Sequence, residues 1–171
     1  MKRIIIHWTA GTNQPNNIEF QHYHFMVNGD GVKIAGMYKP EDNLNCNDGK
    51  YAQHTGGGNT GSIGVAMCGM CGFQSVNNVG KYPLTAVQCE ATFKLLAELC
   101  KQYNIPITPE TVLTHYEFGR THRNTSSCGK IDIIHLTPYP NIKQNEIGDF
   151  IRGKVRWYFK DCHNYSLNNT Q

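Results

Sequence analysis

The chain has 171 residues, of which 39% are hydrophobic and 17% are charged, and its formal net charge is +3. This length and composition fit one globular domain with a sizeable core. Long charged runs are absent from the sequence, which argues against a disordered tail or a nucleic-acid-binding arm. No stretch approaches the ~20 apolar residues of a membrane span. We therefore expect no nucleic-acid partner, no membrane span and a monomeric protein.

The N-terminal part of the sequence predicts strands joined by a long loop. Arg3–His7 is a short apolar run that ends in a histidine, which predicts a buried strand. His22–Gly36 alternates around a Gly-Asp-Gly turn and predicts a hairpin, with Tyr23 in its first strand. Residues 38–61 are polar and rich in Asn and Gly, which predicts a long surface loop. Ser62–Gly69 is apolar on both faces and predicts a central strand.

The C-terminal part predicts two helices around one more strand. Thr85 and Gln88 form a capping-box pattern, and apolar residues then recur at helical spacing as far as Asn104. Thr111–His115 predicts a second strand that ends in a histidine. Residues 116–130 are expected to form a loop, and an amphipathic helix is expected over 145–159.

This order of elements predicts an α/β fold, a single domain whose central mixed β-sheet is flanked by helices. Residues 1–145 form its main part. Residues 146–171 supply a C-terminal helix and a tail, frayed over about the last dozen residues, that belong to the same domain.

Seven cysteines are present, an odd number, with one isolated CxxC motif at Cys68 and Cys71. The sequence shows no secretion signal, so we interpret the cysteines as reduced thiols of a protein made in the cytosol. Buried free thiols are the favoured interpretation. A disulfide and a metal site remain the alternatives.

Three residues have the chemistry of a metal site. His7 and His115 end strands, where sites of α/β sheets gather, and with Asp132 they could hold Zn²⁺ and leave one position for water. Lys130 precedes Asp132 by two residues, so in an extended segment both side chains point the same way. Its ammonium could then neutralise an oxyanion beside the metal. From spacing alone, ordinary strand-end histidines remain the alternative.

Five segments carry a resemblance to a known family. IIIHWTAG, YHFMVNGDGVKIAG, QHTGGGNTGSIGVAMCG, VLTHYEF and GKID occur in this order, over about residues 3–135. Together they resemble the zinc-dependent N-acetylmuramoyl-L-alanine amidases, the type 2 amidase family of phage endolysins, muropeptide-recycling amidases and peptidoglycan recognition proteins. The resemblance implies an amidase catalytic domain in residues 1–145. It implies zinc-activated cleavage of the amide between N-acetylmuramic acid and the L-alanine of the stem peptide.

The resemblance also implies roles for individual residues. His7, His115 and Asp132 correspond to the zinc ligands. Lys130 resembles the catalytic lysine of the family, and Tyr23 resembles a tyrosine that some members place over the metal-bound water. Both are therefore expected to be catalytic.

The substrate groove is expected to include His54 and Asn59, from the segment that resembles the family's groove lining. Trp8 follows the first ligand and either walls the groove or packs in the core. The expected partner is peptidoglycan or a muropeptide.

The sequence departs from the family pattern at three places. After SIG the chain reads Val65-Ala66-Met67, where recycling amidases carry a catalytic glutamate. Only about fifteen residues separate His7 from Tyr23, so one wall of the groove is expected to be reduced. An Ile-Ile pair follows Asp132 in place of the usual Pro-Gly, which leaves His135 and Cys128 as alternative third ligands.

Two rival functions stay open at this stage. The chain could be a peptidoglycan-binding module without catalysis, or a zinc peptidase that cuts within the stem peptide. A missing signal peptide leads us to expect synthesis in the cytoplasm and action on the cell wall after release, as for a phage or prophage lysin.

Overall fold

The computed structural model describes the backbone of residues 1–167 and the side chains of residues 1–160. One five-stranded mixed sheet lies at its centre, which confirms the predicted α/β class. The strands are β1 (Arg3–Trp8), β2 (Phe25–Val27), β3 (Lys33–Ala35), β4 (Ser62–Met67) and β5 (Val112–Thr114). Their order across the sheet is β3-β2-β4-β1-β5, so the fully buried β4 is the central strand, as its sequence predicts.

Four helices and one 3-10 turn complete the described chain. They are α1 (Glu19–His22), α2 (Ala86–Gln102), α3 (His115–Thr121), α4 (Ile147–Leu167) and the 3-10 helix Pro40–Leu44. Helix α2 begins with the capping box predicted from Thr85 and Gln88. Helix α4 continues beyond the predicted end at Phe159, and the last part of the predicted frayed tail, 168–171, lies outside the described residues.

Parallel pairing sets the register around β1. This strand runs parallel to β4 on one side and to β5 on the other. Strand β2 is also parallel to β4, whereas β2 and β3 form the predicted antiparallel hairpin. In the hairpin turn Gly31 has φ +81°, a left-handed conformation that glycine adopts without a Cβ penalty.

The two faces of the sheet are built differently because side chains alternate along each strand. On one face Ile4, Ile6 and Trp8 of β1 join the main core with α2 and α4, which pack against each other. On the other face Ile5 packs with Leu113 and Phe118, beneath α3 and the long loops. His7 has the same parity as Ile5, so it points to this second face.

Two local predictions were wrong in detail. The expected loop over 116–130 contains α3, because Thr114 and Glu117 form a T-x-x-E capping box directly after β5. Tyr23 does not lie in the hairpin strand: it caps the end of α1 and packs with Met26, on the side of the sheet that carries His7.

The six cysteines with described side chains are free, and Cys162 lies outside the described side chains. Burial raises the pKa of Cys68, Cys89 and Cys100 to about 12, so these thiols stay protonated. Cys71 and Cys128 are exposed. The interpretation as buried thiols therefore holds for half of the described cysteines.

The polar loop over 38–61 is fixed by a buried amide. Asn43 is fully buried, and its side chain bonds both backbone groups of Ala52 and the Nε2 of His24 at 2.9 Å. The other ring nitrogen of His24 accepts from the backbone N–H of Gly64 in β4, also at 2.9 Å. A neutral His24 ring thus ties the loop to the central strand. None of the helices in the described part of the chain combines the length and apolar character needed to cross a bilayer.

Burial lowers the pKa of His24 to about 4, against the opposing effect of its hydrogen bond with Asn43. In the unfolded chain the ring titrates near about 6.5. Because the folded-state pKa of His24 is the lower one, the neutral ring contributes its full stabilisation of the fold above about pH 6.5. This contribution is lost as the pH falls towards 4. We expect this single ring to remove about 3 kcal/mol of stability over that window.

The ring protonation is followed by NMR titration of the folded protein, alongside urea unfolding at each pH. A His24 ring that titrates near pH 6.5 in the folded state would contradict the prediction.

Candidate metal centre and active-site cleft

The sheet register brings two histidines together. Ile6 of β1 pairs with Thr114 of β5. The residues that follow them, His7 and His115, therefore stand side by side at the same edge of the sheet. Their ring centroids are 4.7 Å apart. His115 is also the first residue of α3, whose capping box fixes where the helix starts.

The third group reaches this point through the loop that follows α3. The backbone carbonyl of Asp132 accepts a hydrogen bond from the N–H of Tyr116 at 2.7 Å, which anchors the loop beside His115. The Asp132–Ile133 peptide is cis. The Oδ2 atom of Asp132 then lies 2.8 Å from Nδ1 of His7 and 3.1 Å from Nδ1 of His115.

These three side chains have the character of a divalent metal site. Their ligand atoms all lie within 4.8 Å of one another, and they form the one convergent group of three or more His, Cys, Asp or Glu side chains among the described residues. Burial lowers the pKa of His7, which keeps its ring neutral. Burial alone would raise the pKa of Asp132, but hydrogen bonds from His115 and His7 outweigh it and lower that pKa to about 2. Neutral imidazole and ionised carboxylate are the forms in which such side chains bind zinc.

The alternative third ligands lie elsewhere. His135 is buried with its ring stacked on Phe73, at a centroid distance of 6.5 Å. Cys128 is exposed and does not belong to the convergent group. The geometry therefore favours Asp132.

A cleft of about 610 Å³ is bordered by His115 and Asp132, and the buried His7 lies beneath it in contact with Asp132. Tyr23 borders it, with its ring centroid 5.2 Å from that of His7. Burial raises the pKa of the Tyr23 phenol, so the hydroxyl stays protonated. Lys130 is an exposed residue that borders the same cleft as Asp132.

Two predicted groove residues also have structural contacts. Trp8 borders the cleft, and its side chain, 5% exposed, packs in the main core against Phe73 at 5.1 Å between ring centroids. Its contact with substrate stays a prediction. Asn59 is half-buried, and its Oδ1 accepts from the backbone N–H of Thr55 at 2.8 Å. It organises its own loop and does not border the cleft.

Behind the two imidazoles lies a polar layer that includes residues not singled out from the sequence. His54 is buried with Nδ1 3.2 Å from Nε2 of His7, and Thr55 Oγ1 lies 3.4 Å from the same Nε2 atom. Ser127 is fully buried with Oγ 2.9 Å from Nε2 of His115. Thr55 and Ser127 stand in loop segments rich in small polar residues, where no periodic pattern separates them from solvated neighbours.

The central strand leaves room for this layer. A Cβ on Gly64 would come within 2.5 Å of the His54 ring, so only glycine fits beneath it. Ala66 pairs in register with His7 and also faces the cleft side. A methyl group therefore stands beside the first histidine, and β4 offers no acid there.

The comparisons with known proteins bear directly on this site. The family model for N-acetylmuramoyl-L-alanine amidase matches residues 1–130. The chain belongs to this amidase family. The resemblance predicted from the sequence segments is thereby confirmed. Comparison with curated protein sequences gives no match.

Solved structures resemble this amidase-family chain over most of its length. A mutant of PlyL is 25% identical with a TM-score of 0.51, and the alignment covers 91% of this chain and 84% of PlyL. A second PlyL structure is 22% identical with a TM-score of 0.48, covering 90% and 82%. Drosophila peptidoglycan recognition protein SD is 18% identical with a TM-score of 0.46, covering 74% of each chain. The first of these likenesses agrees with the fold described above.

The convergence of three side chains predicts which substitution removes metal binding. We expect Asp132→Ala to abolish stoichiometric Zn²⁺ binding, because two imidazoles alone are a poor site for the ion. Cys128→Ser and His135→Gln serve as matched controls and should bind Zn²⁺ as the wild type does. Metal analysis after dialysis measures all three. Full zinc content in the Asp132 variant, or its loss in either control, would reassign the third ligand.

Proposed function

We propose that the protein is a zinc-dependent N-acetylmuramoyl-L-alanine amidase, which hydrolyses the amide between N-acetylmuramic acid and L-alanine in peptidoglycan. Family membership supports the amidase activity in general. The observation that carries the zinc-dependent mechanism is the convergence of His7, His115 and Asp132 under an open cleft. The three ligands are of the types found in catalytic zinc sites with one open position.

The metal and the side chains have separate tasks in this proposal. A zinc ion held by His7, His115 and Asp132 would supply Lewis acidity, lowering the pKa of water to about 7 and polarising the scissile carbonyl. Lys130 places an ammonium group in the cleft, where it can neutralise the charge that develops on the amide oxygen. Tyr23 can donate a hydrogen bond to substrate or water, since burial keeps its hydroxyl protonated.

The proposal also accounts for the missing strand carboxylate. With Val65-Ala66-Met67 in β4, no acid of that strand can serve as general base. Tyr23 borders the cleft with its ring centroid 5.2 Å from that of His7, and we assign it the task of orienting the attacking water by a hydrogen bond. Cytoplasmic synthesis, release to the wall as a phage or prophage lysin and a monomeric state remain predictions.

Digestion of purified muropeptides tests the function. We expect release of the intact stem peptide from the sugar, identified by mass spectrometry, with activity lost on chelation and restored by added Zn²⁺. Binding of wall fragments without cleavage, unaffected by chelation, would instead identify a non-catalytic peptidoglycan-binding module. Shortened stem peptides would identify a zinc peptidase.

Removal of the cleft ammonium tests the mechanism. We expect Lys130→Ala to fold and to bind Zn²⁺ normally while its turnover falls by about 10²–10³-fold, the usual cost of losing one oxyanion donor. Lys81→Ala is the matched control, since Lys81 is also exposed but lies outside the cleft. Turnover of the Lys130 variant within a few-fold of the wild type would exclude Lys130 from the mechanism.

A further inference from the structure

We propose that the segment His54–Gly56 is the positioning element of the metal site, which holds both imidazole ligands by the ring nitrogens that point away from the ion. His54 is its principal residue and acts through His7. The inference rests on the proposed metal site and adds to it the origin of the ligand geometry.

The two ring nitrogens of His7 have different partners. Its Nδ1 atom faces Asp132, so Nδ1 is the nitrogen available to a cation. With a cation held at Nδ1, the proton of the neutral ring would move to Nε2, which then needs an acceptor. It meets Nδ1 of His54 at 3.2 Å and Oγ1 of Thr55 at 3.4 Å.

His54 accepts hydrogen bonds at Nδ1, either directly from His7 or by way of the Thr55 hydroxyl. The Thr55 hydroxyl lies 2.8 Å from Nδ1 of His54, so its own proton can be donated there. Nδ1 of His54 is an acceptor when the His54 proton is on Nε2, which faces the carbonyl of Ser62 at 3.4 Å. One tautomer of His54 therefore satisfies every donor in this chain of contacts.

The same segment supports the second imidazole. His115 also directs Nδ1 towards Asp132, and its Nε2 lies 2.9 Å from Oγ of Ser127. Ser127 Oγ in turn donates to the carbonyl of Gly56 at 2.8 Å. The serine can accept from His115 because its own proton is committed to the segment.

The segment is rigid enough for this task. The His54 ring rests on Gly64 of the central strand, where a side chain would not fit. The backbone of Thr55 is held at both groups, since its N–H donates to Asn59 Oδ1 at 2.8 Å and its carbonyl accepts from Gly58 at 2.9 Å. A fixed acceptor selects one ring orientation and one tautomer of a metal ligand.

This assignment replaces the substrate-contact role expected of His54 from the family resemblance. Both ring nitrogens of His54 are engaged inside the protein, Nδ1 with His7 and Thr55 and Nε2 with Ser62. Neither nitrogen is left for a peptide or sugar in the cleft. His54 is thus a positioning residue that borders the cleft.

A pair of substitutions of similar size tests the proposal. Leucine at this position keeps the bulk and removes the acceptor, whereas the Oδ1 of asparagine falls near the place of the imidazole Nδ1. We expect His54→Leu to raise the Zn²⁺ dissociation constant by about 10–100-fold, the usual effect of losing a hydrogen-bond partner of a metal ligand, and His54→Asn to recover most of the affinity. Zn²⁺ affinity is measured by competition with a chromophoric chelator, with folding checked by circular dichroism.

Two further variants complete the design. Ser127→Ala should weaken Zn²⁺ binding by a similar factor through His115, whereas His22→Ala, which removes an exposed imidazole at the rim of the same cleft, should leave it unchanged. In the zinc-loaded protein, ¹⁵N-edited NMR should show the His7 Nε2–H proton shifted in the His54→Leu variant and close to its wild-type position in His54→Asn.

The outcomes separate this inference from the proposed function. A wild-type chain that binds no stoichiometric Zn²⁺ refutes the metal site itself. A wild type that binds Zn²⁺ together with a His54→Leu variant of equal affinity, or a His54→Asn variant as weak as His54→Leu, overturns the positioning role alone. Should His54→Leu fail to fold, Ser127→Ala decides, and wild-type affinity in that variant overturns the proposal.

Discussion

The structure depends on the parallel pairing of β1 with β5, which aligns Ile6 with Thr114 and so places His7 beside His115. Both histidines then leave the sheet at one edge, on the face that α2 and α4 do not cover. A single carboxylate oxygen of Asp132 suffices to complete a three-ligand group there. Backbone pairing in the sheet thus sets the positions of the two histidines, whereas a loop supplies Asp132.

Helix α4, on the opposite face of the sheet, is also connected to the edge that carries the two histidines. Arg152 of α4 is buried and forms an ion pair with Glu117 of α3 at 2.9 Å, while it also donates to the carbonyl of Val112 in β5. Glu117 in turn caps the helix that begins with His115. The Arg152 guanidinium is buried while Glu117 is partly exposed, and their contact links α4 to the edge of the sheet that carries the ligands. This contact makes the C-terminal helix a working part of the same fold.

Much of the fold can be predicted from the sequence because the patterns that specify its helices and strands are local and periodic. The apolar run before His7, the uniform apolarity of β4 and the capping box at Thr85 each specify one element. The capping box of Thr114 and Glu117 carried the same kind of signal for α3. His115 follows the last residue of β5 and is the first residue of α3, and the strand pattern alone does not reveal that the helix starts there. Tyr23 lies outside the strand predicted for it because β2 begins only at Phe25 and Tyr23 still belongs to the end of α1.

The candidate site was likewise predictable only in part. Ordered family segments were enough to point to His7, His115, Asp132, Tyr23 and Lys130, which the fold brings to one cleft. The polar layer behind the ligands was not predictable in the same way. Ser127 meets His115 through the path of a long loop, and Asn43 acts through contacts with His24 and with the backbone of Ala52. Trp8 follows a ligand directly in the sequence, but the alternation of side chains along β1 turns its side chain into the main core.

Anomalous diffraction at the zinc absorption edge, from crystals of the protein loaded with Zn²⁺, tests the central claim most directly. The account predicts one strong peak about 2.0–2.2 Å from Nδ1 of His7, Nδ1 of His115 and a carboxylate oxygen of Asp132, the usual zinc–ligand distances. A zinc peak bound by other residues, or one that leaves any of these three side chains out of bonding reach, would contradict it.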